Sequence, residues 1–296
     1  MMVMIENGSL AKAGFDLDNS DFQNPLVTMQ QFAHGDIDVS TFGVSPALFN
    51  QASQGLGGKI VASEGIAKQG RIQTDWMVVE KDQADKIKDL KDLKGKAIDA
   101  AAPGTPLDLL VRSALEQGGL DPAKDVTLTY KARGFADMLA MAKTHGADVI
   151  GMTEPLASQT EQQGLTVRWK SDFDINPWYQ PGTIAFTESF LSKNRAAAEK
   201  WVELYLAACR QINAANGVWT DDLLNIAVKW TGLDAASIKA AGGPPYYDPN
   251  GAVSMDSLTK AQDFFTKTGD VKQKVDVNTL VDKSLLDDAV KTLGPA

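Results

Sequence analysis

The sequence predicts an α/β protein built as two lobes. Three observations point there. Short β-branched runs alternate with longer helical patterns, one helix–strand–helix unit occurs twice, and 296 residues suit two cores better than one. The predicted strands are 38–42, 59–63, 76–79, 97–101, 126–130, 148–152, 166–169 and 183–186, and βα alternation of this kind implies mostly parallel sheets. Helical periodicity is clear over 26–33, 106–116, 136–143 and 195–213. Beyond Arg195 only helices are expected, over 221–231, 235–241, 257–268 and 284–293, so the chain opens α/β and closes helical.

The repeated unit reads first as a helix, then His34-Gly35-Asp36-Ile37-Asp38-Val39, a strand, and Ser45-Pro46 opening another helix. It reads again as a helix, then His145-Gly146-Ala147-Asp148-Val149-Ile150, a strand, and Glu154-Pro155 opening another helix. Each copy is a glycine stop, an Asp-led strand and a proline start. The only two histidines of the chain thus stand at helix C-termini, where imidazolium meets the negative end of the helix dipole. With both so explained and one cysteine, no zinc or iron ligand set is available, and no metal or cofactor is expected.

Composition narrows the function. A net charge of −9 argues against nucleic-acid binding, which needs basic stripes to neutralise phosphates. The one lysine-dense stretch, 86–96, is interleaved with Asp89 and Asp92 and reads as a solvated face. Cys209 lies in an apolar helical run and reads as a small buried hydrophobe. The opening Met1-Met2-Val3-Met4-Ile5 is broken at Glu6, too short for a membrane span or a signal-peptide core, so any export signal is expected to lie outside this sequence.

Three strand-to-helix junctions could carry chemistry: Phe42-Gly43-Val44-Ser45-Pro46, Ala102-Pro103-Gly104-Thr105-Pro106 and Thr153-Glu154-Pro155. Each puts main-chain N–H groups at the carboxyl end of a strand, where ligands bind in open α/β sheets. Ser45 and Thr105 can equally be plain helix caps. An aromatic loop, Asn176-Pro177-Trp178-Tyr179-Gln180-Pro181-Gly182, could line a ligand site or pack over a lobe. Pro244-Pro245-Tyr246-Tyr247-Asp248-Pro249 reads as a structural turn, and Trp201 and Trp230 as core. The chain has no phosphate loop, no dinucleotide fingerprint and no nucleophile elbow, and no carboxylate pair stands out by spacing.

Several segments resemble the periplasmic substrate-binding proteins of ABC importers, in the group that takes nitrate, sulfonates, taurine and thiamine precursors. The run from Glu6 to Leu17 resembles the family's first helix, and Phe42-Gly43-Val44-Ser45-Pro46-Ala47-Leu48 its ligand loop. Asp89-Leu90-Lys91-Asp92-Leu93-Lys94-Gly95-Lys96 resembles the opening of the second lobe, and Gly146 to Pro155 a further family unit.

The resemblance implies a class II periplasmic binding protein fold, two α/β lobes joined by crossing strands with a ligand cleft between them. The lobes would be 1–78 plus 185–296, and 79–184, with crossings near 76–80 and 183–188. Ligand contacts carried over are Val44, Ser45, Pro46, Gly65 and Ile66, and Gly104, Thr105 and Pro106, with Gln73 to Asp75 at the border. Glu154 would meet a positive group on the ligand or bond nearby backbone, and Trp178 would be a ring wall. The implied function is capture of a small organic solute (a sulfonate, carboxylate or nitrate-like anion, or a zwitterion) by hinge closure. The protein would be an extracytoplasmic monomer serving importer permease subunits. Alternatives are a pyrimidine or thiamine-precursor binder, or a lyase or synthase using Glu154. Fungal pyrimidine-precursor synthases share the resemblance but carry a cysteine-rich iron motif, which one cysteine cannot supply. The family's strand ahead of its first helix has no counterpart here, and Gly104-Thr105-Pro106 is poorer in hydroxyls than in typical sulfonate binders.

Overall fold

The computed structural model describes residues 1–15, 17 and 25–296. Asp16, within the run resembling the family's first helix, lies outside the described residues. The eight strands are β1 (Val39–Gly43), β2 (Lys59–Glu64), β3 (Asp75–Glu80), β4 (Ala97–Asp99), β5 (Thr127–Thr129), β6 (Val149–Thr153), β7 (Thr166–Ser171) and β8 (Gly182–Phe186). They form a three-stranded sheet, β1-β8-β2, and a five-stranded sheet, β5-β4-β6-β3-β7.

The chain divides into two compact units. Unit 1 holds Met1–Ile66, Gln180–Gly232 and Pro244–Ala296; unit 2 holds Ala67–Tyr179 and Leu233–Gly243. Both strands expected as crossings lie within a single unit, β3 in unit 2 and β8 in unit 1. The changes of unit fall in the segments before them. Residues 233–243, with helix Ala235–Ala240, join unit 2, where the sequence reading placed them in the first lobe.

The five-stranded sheet is mixed and the three-stranded sheet antiparallel, where βα alternation predicted mostly parallel pairing. Only β4 pairs in parallel, with β5 and β6; β3 runs antiparallel to β6 and β7, and β8 to β1 and β2. Each antiparallel strand is the first one after the chain changes unit, so no helical crossover precedes it within its own sheet. After β8 the chain forms helices and one isolated bridge, Ile60 to Val281.

Unit 1 is organised by helix Arg195–Ala214, whose stripe Ala198, Trp201, Val202, Tyr205, Leu206 and Cys209 recurs at helical spacing and is buried. It packs on Val61, Ala62, Ile184 and Phe186 of the sheet and on Val3, Met4 and Leu285. Trp201 stacks on Tyr205 at 5.6 Å and stands edge-on to Phe186 at 5.3 Å. Cys209 is buried as expected, and burial pushes its thiol up to about 12. Trp230, predicted as core, is only half-buried and donates from its indole to Glu6 at 3.0 Å. In unit 2 successive residues of β3 face opposite ways. Met77 and Val79 join a core with Ile98, Leu110 and Val149, while Val78 joins another with Met138, Ile150 and Leu156. The sheet is therefore covered on both faces. In the 86–96 stretch Ile87 and Leu93 anchor inward and the lysines stay outside.

Candidate functional site

In unit 1, β8 starts between the ends of its two neighbours: Gly182 is level with Gly43 of β1 and with Glu64 of β2. The segments leaving those ends are the candidate loops. Val44 is buried and its N–H donates to Pro181 O at 2.9 Å. Ser45 is half-buried and extended, directly before helix Pro46–Ala52, yet its side chain makes no capping bond. From the other strand, Gly65 takes φ +72, a conformation that favours glycine, and Ile66 N–H donates to Tyr246 O at 3.0 Å. The 244–249 turn thus braces the loop after β2, in keeping with a structural role.

Unit 2 repeats this arrangement with different chemistry. Asp75 opens β3 level with Thr153 at the end of β6, and Trp76 is level with Ser171 at the end of β7. Asp172 directly follows Ser171, at the same end of the sheet as Asp75. Asp75 and Asp172 are both buried, at 5% and 4% exposure. Thr153 Oγ1 donates to Asp75 at 2.8 Å, and Asp172 accepts the N–H of Phe173 at 3.0 Å. Burial pushes the Asp75 carboxyl up to about 6, against the pull of the Thr153 bond. Burial, then the charge of Asp75, pushes Asp172 up to about 7. Tyr179 is buried and feels both carboxylates, so its hydroxyl is also held well above its ordinary range. Trp178 is half-buried and edge-on to Tyr179 at 5.8 Å. Gln73 closes the loop ahead of β3, donating to Lys68 O at 2.8 Å and Arg71 O at 2.9 Å.

Other sequence-selected residues have internal partners. The Glu154 side chain, 4% exposed, accepts from Ser158 N at 3.0 Å, Ser158 Oγ at 2.9 Å and Arg168 Nη1 at 3.0 Å. Arg168 is gripped from the other side by Glu161 at 2.8 Å and lies 5.3 Å over the Trp76 ring. Glu154 therefore already has its cation. Thr105 caps helix Pro106–Gln117 by accepting from Asp108 N at 3.3 Å, and Gly104 N–H donates to Asp108 Oδ2 at 2.8 Å. Asp108 is held in turn by Arg112 and Tyr130. The donors expected to be open at this helix start are thus partly taken by the carboxylate of the chain itself.

His145 follows the C-cap residue Thr144, as expected, but has a partner the sequence did not indicate. It lies beyond helix Phe135–Lys143 at φ +53, with Nδ1 2.7 Å from Glu80 Oε2. Sequence reasoning missed Asp172. Its neighbours Ser171 and Asp174 form a capping box whose S-x-x-D spacing marks the helix start, but nothing in that spacing marks Asp172 as buried. Among the described residues no group of three His, Cys, Asp or Glu side chains is placed to hold a metal ion, and no helix is long and apolar enough to cross a membrane.

The sequence profile of the NMT1-like family matches residues 1–219. Among curated proteins, none matches the chain. Solved structures share its fold. The periplasmic aliphatic sulphonate-binding protein SsuA from Escherichia coli superposes with a TM-score of 0.77 at 21% identity, over 96% of this chain and 88% of that one. The periplasmic nitrate-binding protein NrtA from Synechocystis PCC 6803 gives 0.74 at 16% identity, over 99% and 85%. The desulfurization enzyme DszB gives 0.72 at 15% identity, over 99% and 95%. The architecture is that of periplasmic binding proteins of the SsuA and NrtA type, and an enzyme shares it.

Proposed function

Because this chain belongs to the NMT1-like family, we propose that it is the extracytoplasmic solute-binding component of an ABC importer. In this reading it acts as a monomer without a cofactor and is not an enzyme. It captures a small organic solute by hinge closure and presents it to permease subunits. The observation that carries the reading is the repeated strand-end plan. In each unit a central antiparallel strand begins between the ends of two others, and segments leaving those ends include residues expected to bind ligand. Val44–Pro46 with Gly65 and Ile66 would serve in unit 1. Asp75, Gly104–Pro106 and Trp178 would serve in unit 2, with Glu154 holding its loop in shape. The solute is a sulfonate, carboxylate or nitrate-like anion, or a zwitterion; a pyrimidine or thiamine precursor is the neighbouring alternative.

A thermal-shift screen over those classes tests this. A solute at 100 times its Kd stabilises a fold by about 2.7 kcal/mol, a rise of several degrees. The expected result is a rise in Tm with one class, the solute being recovered unchanged. The DszB likeness in fold gives the rival reading its footing, and a solute consumed during incubation would establish it. No shift with any class would sink both.

A further inference from the structure

We infer that Asp75 and Asp172 form a coupled pair that retains a proton near neutral pH, a proton-sensitive switch at the loop-bearing end of the five-stranded sheet. This inference stands on unit 2 alone, whatever the solute. The two acids flank the paired Trp76 and Ser171, on the first residue of β3 and the residue following β7. Both are more than nine-tenths buried. Asp75 accepts from the Thr153 hydroxyl, and Asp172 accepts from main-chain N–H groups. Two carboxylates in such a place cannot both ionise cheaply, because each charge is poorly solvated and repels the other.

Among the described residues, the charge acting most on Asp172 is the negative one of Asp75. β6 contributes Thr153, and the 176–179 loop contributes Tyr179. The helix Asp172–Ile175 adds Asp174, a further negative charge, which is occupied in capping Ser171. On β7, Arg168 is committed to Glu154 and Glu161, and Lys170 lies over the Trp169 ring at 5.8 Å. Helix Pro106–Gln117 packs on Asp172–Ile175; its Gln117 donates to Ile175 O, and its Arg112 is held by Asp108 and Tyr130.

The sign follows from linkage. Both carboxyls are raised by burial, to about 6 and about 7, so the folded chain keeps a proton that the unfolded chain releases. Their stabilising contribution is complete below the ordinary aspartate range and is lost as pH rises through 6 to 7. Burial also raises Glu64 and Glu80, which add a background slope that substitution at Asp172 leaves in place.

The test is thermal unfolding of the ligand-free full chain from pH 5 to 8, for the wild type and Asp172→Asn, together with carboxyl-carbon NMR titration of the wild type. The expected result is a Tm that falls by several degrees over this range in the wild type and clearly less in Asp172→Asn. At least one aspartate carboxyl should titrate above pH 5.5. Equal pH slopes in the two proteins would overturn the inference. So would a wild type in which every aspartate titrates below pH 5, a result independent of how well the variant folds.

Discussion

The two units solve the same topological problem with opposite chemistry. In unit 1 the row across the strand ends is Gly43, Gly182 and Glu64, two of three positions without a side chain. In unit 2 Asp75 is level with Thr153, and Asp172 follows Ser171 at the same end; all three are polar, two of them buried acids. The first row is constrained by backbone proximity, the second set by electrostatics. The loops behind them differ in the same sense. Ser45 stands before its helix without a capping bond, whereas Glu154 is fixed by three donors. Unit 2 has spent its polar groups on one another; unit 1 has left a hydroxyl uncommitted.

The sharpest way to break this contrast is Arg168→Met. It leaves the Glu154 carboxylate buried without its cation, and loss of one partner from a buried pair costs about 3 kcal/mol or more. Urea denaturation should show that loss, and Glu154→Gln added to Arg168→Met should restore part of it. An unchanged midpoint would mean that Glu154 does not depend on Arg168.

Next in size is Gly182→Ala in unit 1. A Cβ there would meet Glu64 O at 3.0 Å, Glu64 Oε2 at 3.0 Å and Glu64 Cβ at 3.1 Å. The side-chain oxygen can swing away but the carbonyl is fixed by pairing, so a loss of about 1–2 kcal/mol is expected. Gly43→Ala is the control in the same row: its Cβ would meet only Pro181 O, at an ordinary 3.8 Å, and little change should follow. Equal losses at both positions would show that the row is not limited by backbone proximity.

Much of this plan was legible in the sequence. The repeated unit, from His34 to Pro46 and from His145 to Pro155, maps onto β1 and β6, each of which pairs antiparallel with the first strand after a change of unit. Local signals sufficed because each copy is a local motif: a glycine stop, a short apolar run and a proline start. Direction of pairing was not legible, because βα alternation says nothing of a strand arriving from the other unit. The contact of His145 was missed for a related reason. Its partner Glu80 is 65 residues away, and only the fold brings them together. Asp172 was hidden because burial of an acid depends on β3 and β7 lying side by side. Glu154 stood out in the sequence at a strand-to-helix junction, but its partner Arg168 lies on a strand whose register no periodicity reveals.

The smallest effects are the most informative about function. Thr105 accepts the Asp108 N–H, so Thr105→Ala removes a working cap and should cost about 1 kcal/mol. Ser45 occupies the matching position ahead of Pro46 but accepts no such bond, so Ser45→Ala should change stability by no more than a few tenths of a kcal/mol. A side chain that does nothing for its helix is free to serve a ligand. Once a solute is found, Ser45→Ala should weaken its binding several-fold with an unchanged ligand-free Tm, the cost of about one lost hydrogen bond. If instead stability drops as much as in Thr105→Ala, Ser45 is a cap after all. The contrast between a spent unit and an uncommitted one would then fail at the residue that most clearly expresses it.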